Sequence, residues 1–150
     1  MTTDVSMLRG NSGTRTGKVL LIDEDAADLR VLGLVLEGKG FHVQTCKTYE
    51  AGLQDLETEA FDFVVVSQGT RAFEGRRVLE RAMQLDRRRP VLIVTRSIDM
   101  PCYLEAMQMG AVDYMEKPVS PAELSQFVRA HIRSDRLQMQ RPQPQVSASA

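Results

Sequence analysis

The chain has 150 residues, 43% of them hydrophobic and 26% charged, and its formal net charge is −1. This length supports one domain with a real core and is too short for two comfortable domains. The composition is that of an ordinary globular protein. The balanced charge gives no reason to expect nucleic acid or an anionic membrane as a partner.

No segment of the chain suggests export or membrane insertion. No apolar run approaches the roughly 18 residues that a membrane span needs, and the N-terminus lacks the apolar segment of a secretory signal. Cys46 and Cys102 lie far apart without metal-ligand spacing, which favours reduced thiols over a disulfide. We therefore predict a cytoplasmic protein that does not enter a membrane.

Both ends of the chain are polar and lack periodicity. Residues 1–17 are rich in Thr, Ser, Gly and Arg, which predicts a disordered leader. From about Ser134 the chain turns polar again, and its last residues are mainly Pro, Gln, Ser and Ala. This composition predicts a disordered tail over 135–150, which leaves 18–134 as the folded part.

The first half of the folded part predicts two strands and two helices. Residues 19–22 form a short apolar strand, after which Asp25 and Asp28 open a helix as an N-cap and a third-position carboxylate. Residues 41–46 alternate between apolar and polar, which indicates a less buried strand at a sheet edge. Thr48 then caps the second helix.

The second half predicts three more strands, each with its helix. The run that ends at Val66 is apolar almost throughout and stops at Ser67, as expected of a strand buried on both faces of a parallel sheet. Further strands are predicted at 90–95 and 112–115. Helices are predicted after Gly75, from Pro101 to Gly110, and from a capping box that begins at Ser120.

Five strands thus alternate with five helices. Such alternation specifies a parallel sheet covered by helices, because each parallel crossover needs a covering helix. In open sheets of this kind, ligands bind at the carboxyl ends of the strands. The side chains that the sequence places at those ends are Asp23, Glu24, Asp25, Ser67, Thr95 and Lys117.

Several motifs at these strand ends occur together in one known family. They are Ile22-Asp23-Glu24-Asp25, Thr95, Glu116-Lys117-Pro118 and the stretch 106–114. Across about 18–133 the chain resembles the receiver domain of bacterial two-component response regulators. The resemblance implies one doubly wound (βα)5 domain with a flavodoxin-like five-stranded sheet in the order 2-1-3-4-5. It also implies a signalling module rather than an enzyme, with a histidine kinase or an effector as protein partner.

One position departs from the family's pattern. The family accepts a phosphoryl group on an aspartate at the end of strand three, and Ser67 stands there in this chain. A serine would give a phosphoester, which is inert beside an acyl phosphate, and a neutral hydroxyl is a poor ligand for Mg²⁺. We expect Asp23 and Glu24, the acidic pocket, to bind Mg²⁺ only weakly, and we expect no other cofactor. Asp62 is no substitute, because it lies roughly 16 Å earlier along an extended strand.

Two basic residues, Lys117 and Arg96, are expected near Ser67. The resemblance assigns the phosphoryl-switch positions to Thr95, Tyr114 and Lys117. We expect Lys117 to pair with Asp23 or Glu24. Arg96 stands where the family usually has a small residue, and we expect it also to pair with Asp23 or Glu24, in the space of the missing metal.

Each of these residues also has a plainer interpretation. The acids at 23–25 favour the dipole of the helix that follows them. Thr95 and Tyr114 are residue types common in strands, and a lone lysine such as Lys117 is usually solvated.

Arginines concentrate on and around the third helix. They are Arg71, Arg76, Arg77, Arg81, Arg87, Arg88 and Arg89. A solvated face is the plain interpretation, and docking to an acidic partner is the sharper one. Nucleic acid is not favoured, because no interleaved aromatic residues and no helix-turn-helix pattern accompany the charge.

Two functions remain open. The first is a receiver that keeps the fold, is not phosphorylated on aspartate, and acts by binding proteins, as a homodimer through helix four, strand five and helix five. The alternative is phosphotransfer that uses Ser67 or another acceptor, although His42 and His131 belong to the edge strand and the last helix. A flavodoxin-like cofactor binder is excluded, because the acids at 23–25 would repel a phosphate.

Overall fold

The computed structural model describes residues 17–140, with side chains described as far as Ile132. A five-stranded parallel sheet has the order β2-β1-β3-β4-β5, which confirms the predicted fold. The strands are β1 (Lys18–Ile22), β2 (His42–Cys46), β3 (Phe63–Ser67), β4 (Val91–Thr95) and β5 (Asp113–Glu116). The helices are α1 (Ala26–Gly38), α2 (Tyr49–Thr58), α3 (Arg76–Leu85), α4 (Met100–Met109) and α5 (Pro121–Gln140).

The sheet separates two apolar cores. On one face, Val64 and Val66 of β3 pack with the buried residues of α2, α3 and α4. On the other face, Phe63 and Val65 pack with those of α1 and α5. Every residue of β3 and β4 is buried, as the unbroken apolar runs predict for central parallel strands. β2 is partly exposed, in agreement with its predicted place at the edge.

Side-chain caps fix where α1, α2 and α4 begin at the carboxyl edge of the sheet. Asp25 accepts the Asp28 N–H at 3.0 Å, and Thr48 accepts the Ala51 N–H at 3.1 Å, both as predicted. Asp99 accepts the Cys102 N–H at 3.1 Å and so starts α4 one residue before Pro101. These caps satisfy helix N–H groups that have no partner within the helix.

α5 continues to Gln140, beyond the end of the folded part predicted at 134. The residues after Ser134 include Leu, Met, Arg and Gln, which favour helix even where the hydrophobic pattern weakens. The leader predicted over 1–17 lies outside the described residues except for Gly17, and so does the tail from 141 onward. Across residues 17–140, no helix combines the length and apolar character needed to cross a bilayer.

Candidate functional site

The carboxyl ends of the strands surround a cavity of about 540 Å³. The sequence-predicted residues Asp23, Glu24, Ser67, Thr95 and Lys117 all line it, together with Asp25 and Arg96. Asp62 lies at the opposite edge of the sheet, where it accepts the Lys18 N–H at 2.8 Å. The structure thus brings together the predicted strand-end residues and separates Asp62 from them.

Ser67 is held firmly at the end of β3. It is 8% exposed, and its hydroxyl oxygen accepts the Gly69 N–H at 3.3 Å. Its carbonyl oxygen accepts the Tyr49 hydroxyl at 3.3 Å. A Cβ on Gly75 would lie 2.2 Å from that same carbonyl, so only glycine lets α3 begin so close to the strand. The main chain of Ser67 is therefore fixed between α2 and α3, and its hydroxyl is held by the one hydrogen bond from Gly69.

Asp23 and Lys117 form the buried ion pair of the site. The Lys117 ammonium donates to Asp23 at 2.6 Å, and the two side chains are 3% and 10% exposed. The other Asp23 oxygen accepts the Asp25 N–H at 2.9 Å. This confirms the predicted pairing of Lys117 and leaves both oxygens of Asp23 with partners.

Arg96 corrects one prediction. It pairs with Asp25 and Asp28, with 3.4 Å to the latter, and not with Asp23 or Glu24. The physical reason is that the Asp23 oxygens are already taken, whereas the acids of the first turn of α1 face the β4–α4 loop. A hydrogen bond from the Asp28 N–H, supported by Arg96, holds the pKa of the Asp25 carboxyl below its usual range.

Asp28 joins the two cations, and sequence reasoning missed this role. Its carboxylate accepts Lys117 at 2.8 Å as well as Arg96. The capping-box assignment accounted for Asp28 and so gave no reason to seek a second role. The sequence feature that could have indicated this role is the position of Asp28, one helical turn from Asp25, which places both acids at the N-terminus of α1.

These residues do not fit a magnesium ion well. Both oxygens of Asp23 are engaged, Ser67 supplies no charge, and Glu24 is exposed and takes part in no ion pair among the residues described. Within 17–140, no group of three or more His, Cys, Asp or Glu side chains is arranged to hold a metal. Two side-chain cations lie beside the acids instead.

Thr95 and Tyr114 are both buried and both have hydrogen-bond partners. The Thr95 hydroxyl donates to the Ser97 carbonyl at 2.8 Å. The Tyr114 hydroxyl donates to the side-chain oxygen of Gln68 and accepts the Asp99 N–H at 3.0 Å. Burial raises the pKa of the Tyr114 phenol. Gln68, the neighbour of Ser67, was not singled out from the sequence.

Most arginines of the cluster form ion pairs or hydrogen bonds with other residues of the chain. Arg76 pairs with Glu105 of α4, while Arg77 and Arg81 pair with acids of α2. Arg89 is buried and donates to the carbonyl of Ala82 at 3.0 Å, at the end of α3. Among the described residues, only Arg87 and Arg88 of the cluster have side chains without an acidic or buried partner, which leaves little unpaired positive charge for an acidic surface.

A sequence model described as the response regulator receiver domain matches residues 19–129. The transcriptional regulatory protein FixJ of Bradyrhizobium diazoefficiens is 33% identical over 80% of this chain and 58% of its own length. The alkaline phosphatase synthesis transcriptional regulatory protein PhoP of Bacillus subtilis is 30% identical over 77% of this chain and 48% of its own length. The chain therefore spans about half the length of these two relatives.

Solved structures agree with these sequence matches. A CheY-like response regulator receiver domain protein from Methanospirillum hungatei superposes with a TM-score of 0.76 at 26% identity, over 81% of this chain and 97% of that one. A response regulator receiver domain from Clostridium thermocellum gives 0.73 at 27% identity, over 81% and 98%.

Proposed function

The chain belongs to the response regulator receiver domain family, and from that premise we propose that it is an atypical receiver in two-component signalling. In this proposal no aspartate accepts a phosphoryl group, and the domain acts by binding other proteins. The observation that carries the proposal is Ser67 at the end of β3, in the same cavity as Asp23, Thr95 and Lys117.

The charges around Ser67 support this proposal. Of the two acidic-pocket carboxylates, Asp23 is engaged by Lys117, and Arg96 adds a second cation nearby through its pair with Asp25. Removing one negative charge about 4 Å from a divalent ion forfeits several kcal/mol, even at an effective dielectric constant near 20. The domain would thus keep its ion pairs without a metal and without a phosphoryl group.

Incubation of the wild-type chain with acetyl phosphate and Mg²⁺ is expected to leave its intact mass unchanged. The reason is that the site offers neither an acyl acceptor nor a ready metal site. The control is a receiver that has the usual aspartate, treated in parallel. A phosphoryl adduct on the wild-type chain would contradict the proposal, and its lability would identify the acceptor.

The alternative, phosphotransfer through Ser67, has less support. A serine hydroxyl needs a base to become a nucleophile, and the cavity lining among residues 17–140 contains no histidine. The Ser67 oxygen also accepts a hydrogen bond from Gly69, which does not activate it. We retain this alternative only as the outcome in which an acid-stable adduct is found on Ser67.

We propose the face of α4, β5 and α5 as the surface that binds proteins, a second copy of the chain among them. Large apolar side chains that are exposed among the described residues include three on or just before α4. They are Ile98 at 54%, Met100 at 57% and Leu104 at 50% exposure. Methionine suits an adaptable interface, because its side chain is flexible and polarisable.

Light scattering is expected to give the wild-type chain a solution mass above that of one copy. Leu104→Glu should return the mass to that of one copy, because a carboxylate would lose its hydration in an apolar contact. Val31→Glu is the matched control, since Val31 is equally exposed but lies on α1. A wild-type mass of one copy at all concentrations would contradict the homodimer.

A further inference from the structure

Gln68 and Tyr114 form a buried polar contact across the top of the sheet. Gln68 is 3% exposed and Tyr114 is 9% exposed. Tyr114 lies on β5, opposite Ile93 of β4, so its hydroxyl crosses above β4 to reach Gln68 after β3. The contact thus joins two strands that are not neighbours.

Gln68 is itself held at both ends. Its main-chain N–H donates to the Val94 carbonyl at 2.8 Å, and its carbonyl accepts the Gly75 N–H at 3.1 Å. Its side-chain NH₂ donates to the Thr70 carbonyl at 3.2 Å, which leaves the amide oxygen for Tyr114. The amide therefore presents a fixed acceptor to the phenol.

The same phenol holds the start of α4. It accepts the N–H of Asp99, whose carboxylate caps the helix. The ring of Tyr103 packs edge-on against the Tyr114 ring, with 5.4 Å between centroids. An inward Tyr114 thereby fixes the loop and the first turns of α4, where Met100 and Leu104 are exposed.

We propose that the Gln68 side chain is a latch that keeps Tyr114 inward and holds the α4 face in one arrangement without a phosphoryl group. Gln68 is then a positioning residue, which acts on the surface through Tyr114. This inference rests on the proposed function, because a latch of this kind replaces the phosphoryl signal at the same site. Breaking the contact would leave the buried phenol with only the Asp99 carbonyl, at 3.4 Å, as an acceptor, and the ring would gain by turning outward to water.

The test is the nitration of tyrosine by tetranitromethane, measured for each residue by peptide mass spectrometry. The chain has three tyrosines, Tyr49, Tyr103 and Tyr114. In the wild-type chain we expect Tyr103, which is half-buried, to react and Tyr114 to be protected. In Gln68→Leu, which keeps a side chain of similar size, we expect Tyr114 to react at least about fivefold faster, the factor that a lost buried hydrogen bond gives.

Two controls separate the latch from a general loss of structure. Thr70→Ala keeps the main-chain carbonyl that Gln68 uses, so Tyr114 should stay protected. Tyr49 is 4% exposed in the core between β3 and α2, so its nitration in Gln68→Leu would report unfolding. If Gln68→Leu unfolds, the test uses the wild-type chain alone. In ¹³C-tyrosine-labelled wild-type protein, NMR should then detect a Tyr114 hydroxyl proton that exchanges slowly with water.

Two results would overturn the latch. They are an equal rate of Tyr114 nitration in wild type and a folded Gln68→Leu, or a wild-type Tyr114 hydroxyl proton that exchanges as fast as that of Tyr103. Neither result depends on phosphorylation. A phosphoryl adduct on the wild-type chain would instead remove the proposed function and leave the Gln68–Tyr114 contact as a structural finding.

Discussion

Replacing Lys117 with methionine is expected to lower the free energy of unfolding by about 3–5 kcal/mol at neutral pH. The ammonium pairs with Asp23, whose side chain is 3% exposed, and it also contacts Asp28. Without it, the Asp23 carboxylate stays buried with no cation within reach, because Arg96 is committed to the first turn of α1. Urea denaturation followed by circular dichroism measures the change.

Two variants control this experiment. Lys47→Met removes an exposed lysine that has no ion pair among the described residues and should cost less than about 0.5 kcal/mol. Lys117→Met combined with Asp23→Asn removes both charges and keeps an acceptor for the Asp25 N–H, so it should recover most of the loss. A loss below about 1 kcal/mol for Lys117→Met alone would show that the pair is not buried as described.

Ser67→Asp is expected to bind Mg²⁺ weakly and to bind it more tightly when Arg96 is also removed. The single variant regains the missing carboxylate, but an entering divalent ion would still meet Lys117 and Arg96 beside the acids. In Ser67→Asp/Arg96→Ala we expect Mg²⁺ to bind at least about tenfold more tightly than in Ser67→Asp, a difference of about 1.4 kcal/mol. Isothermal titration calorimetry gives both dissociation constants, and acetyl phosphate treatment then shows whether the acceptor works.

The matched control for this experiment is Ser67→Asp/Arg77→Ala. Arg77 is 55% exposed and pairs with one acid, Glu50 of α2, away from the cavity. Its removal should leave Mg²⁺ affinity as in Ser67→Asp. If Ser67→Asp alone binds Mg²⁺ as tightly as the double variant, Arg96 does not oppose the metal.

The sheet and the residues at its carboxyl edge could be predicted, because both follow from the order of apolar and polar residues along the chain. Apolar runs that stop at Asp23, Ser67 and Thr95 determine both the strands and the side chains that meet where the strands end. Parallel topology then brings these ends together, whatever rotamers the side chains adopt. This is why the predicted cavity residues do line one cavity.

The pairings within the site could not be predicted, because they depend on which groups are already satisfied. Arg96 avoids Asp23 since that carboxylate has both oxygens engaged, a fact visible only once the backbone of Asp25 is placed. Gln68 escaped notice because an amide after a strand has no characteristic pattern. Glu80 lies one helical turn from Arg76 on α3 itself, but the other acidic partners of the arginines on α3 lie on other helices, where local spacing does not identify them.

The ion pairs of α3 make the two faces of the sheet differ in what binds their helices together. Ion pairs connect α3 to α2 and, through Arg76 and Glu105, to α4. In contrast, α1 and α5 contact each other and the sheet chiefly through apolar side chains. Dissolved salt weakens exposed charge pairs but not apolar packing. A rise in ionic strength is therefore expected to weaken the contacts of α3 with α2 and α4 more than the contact between α1 and α5.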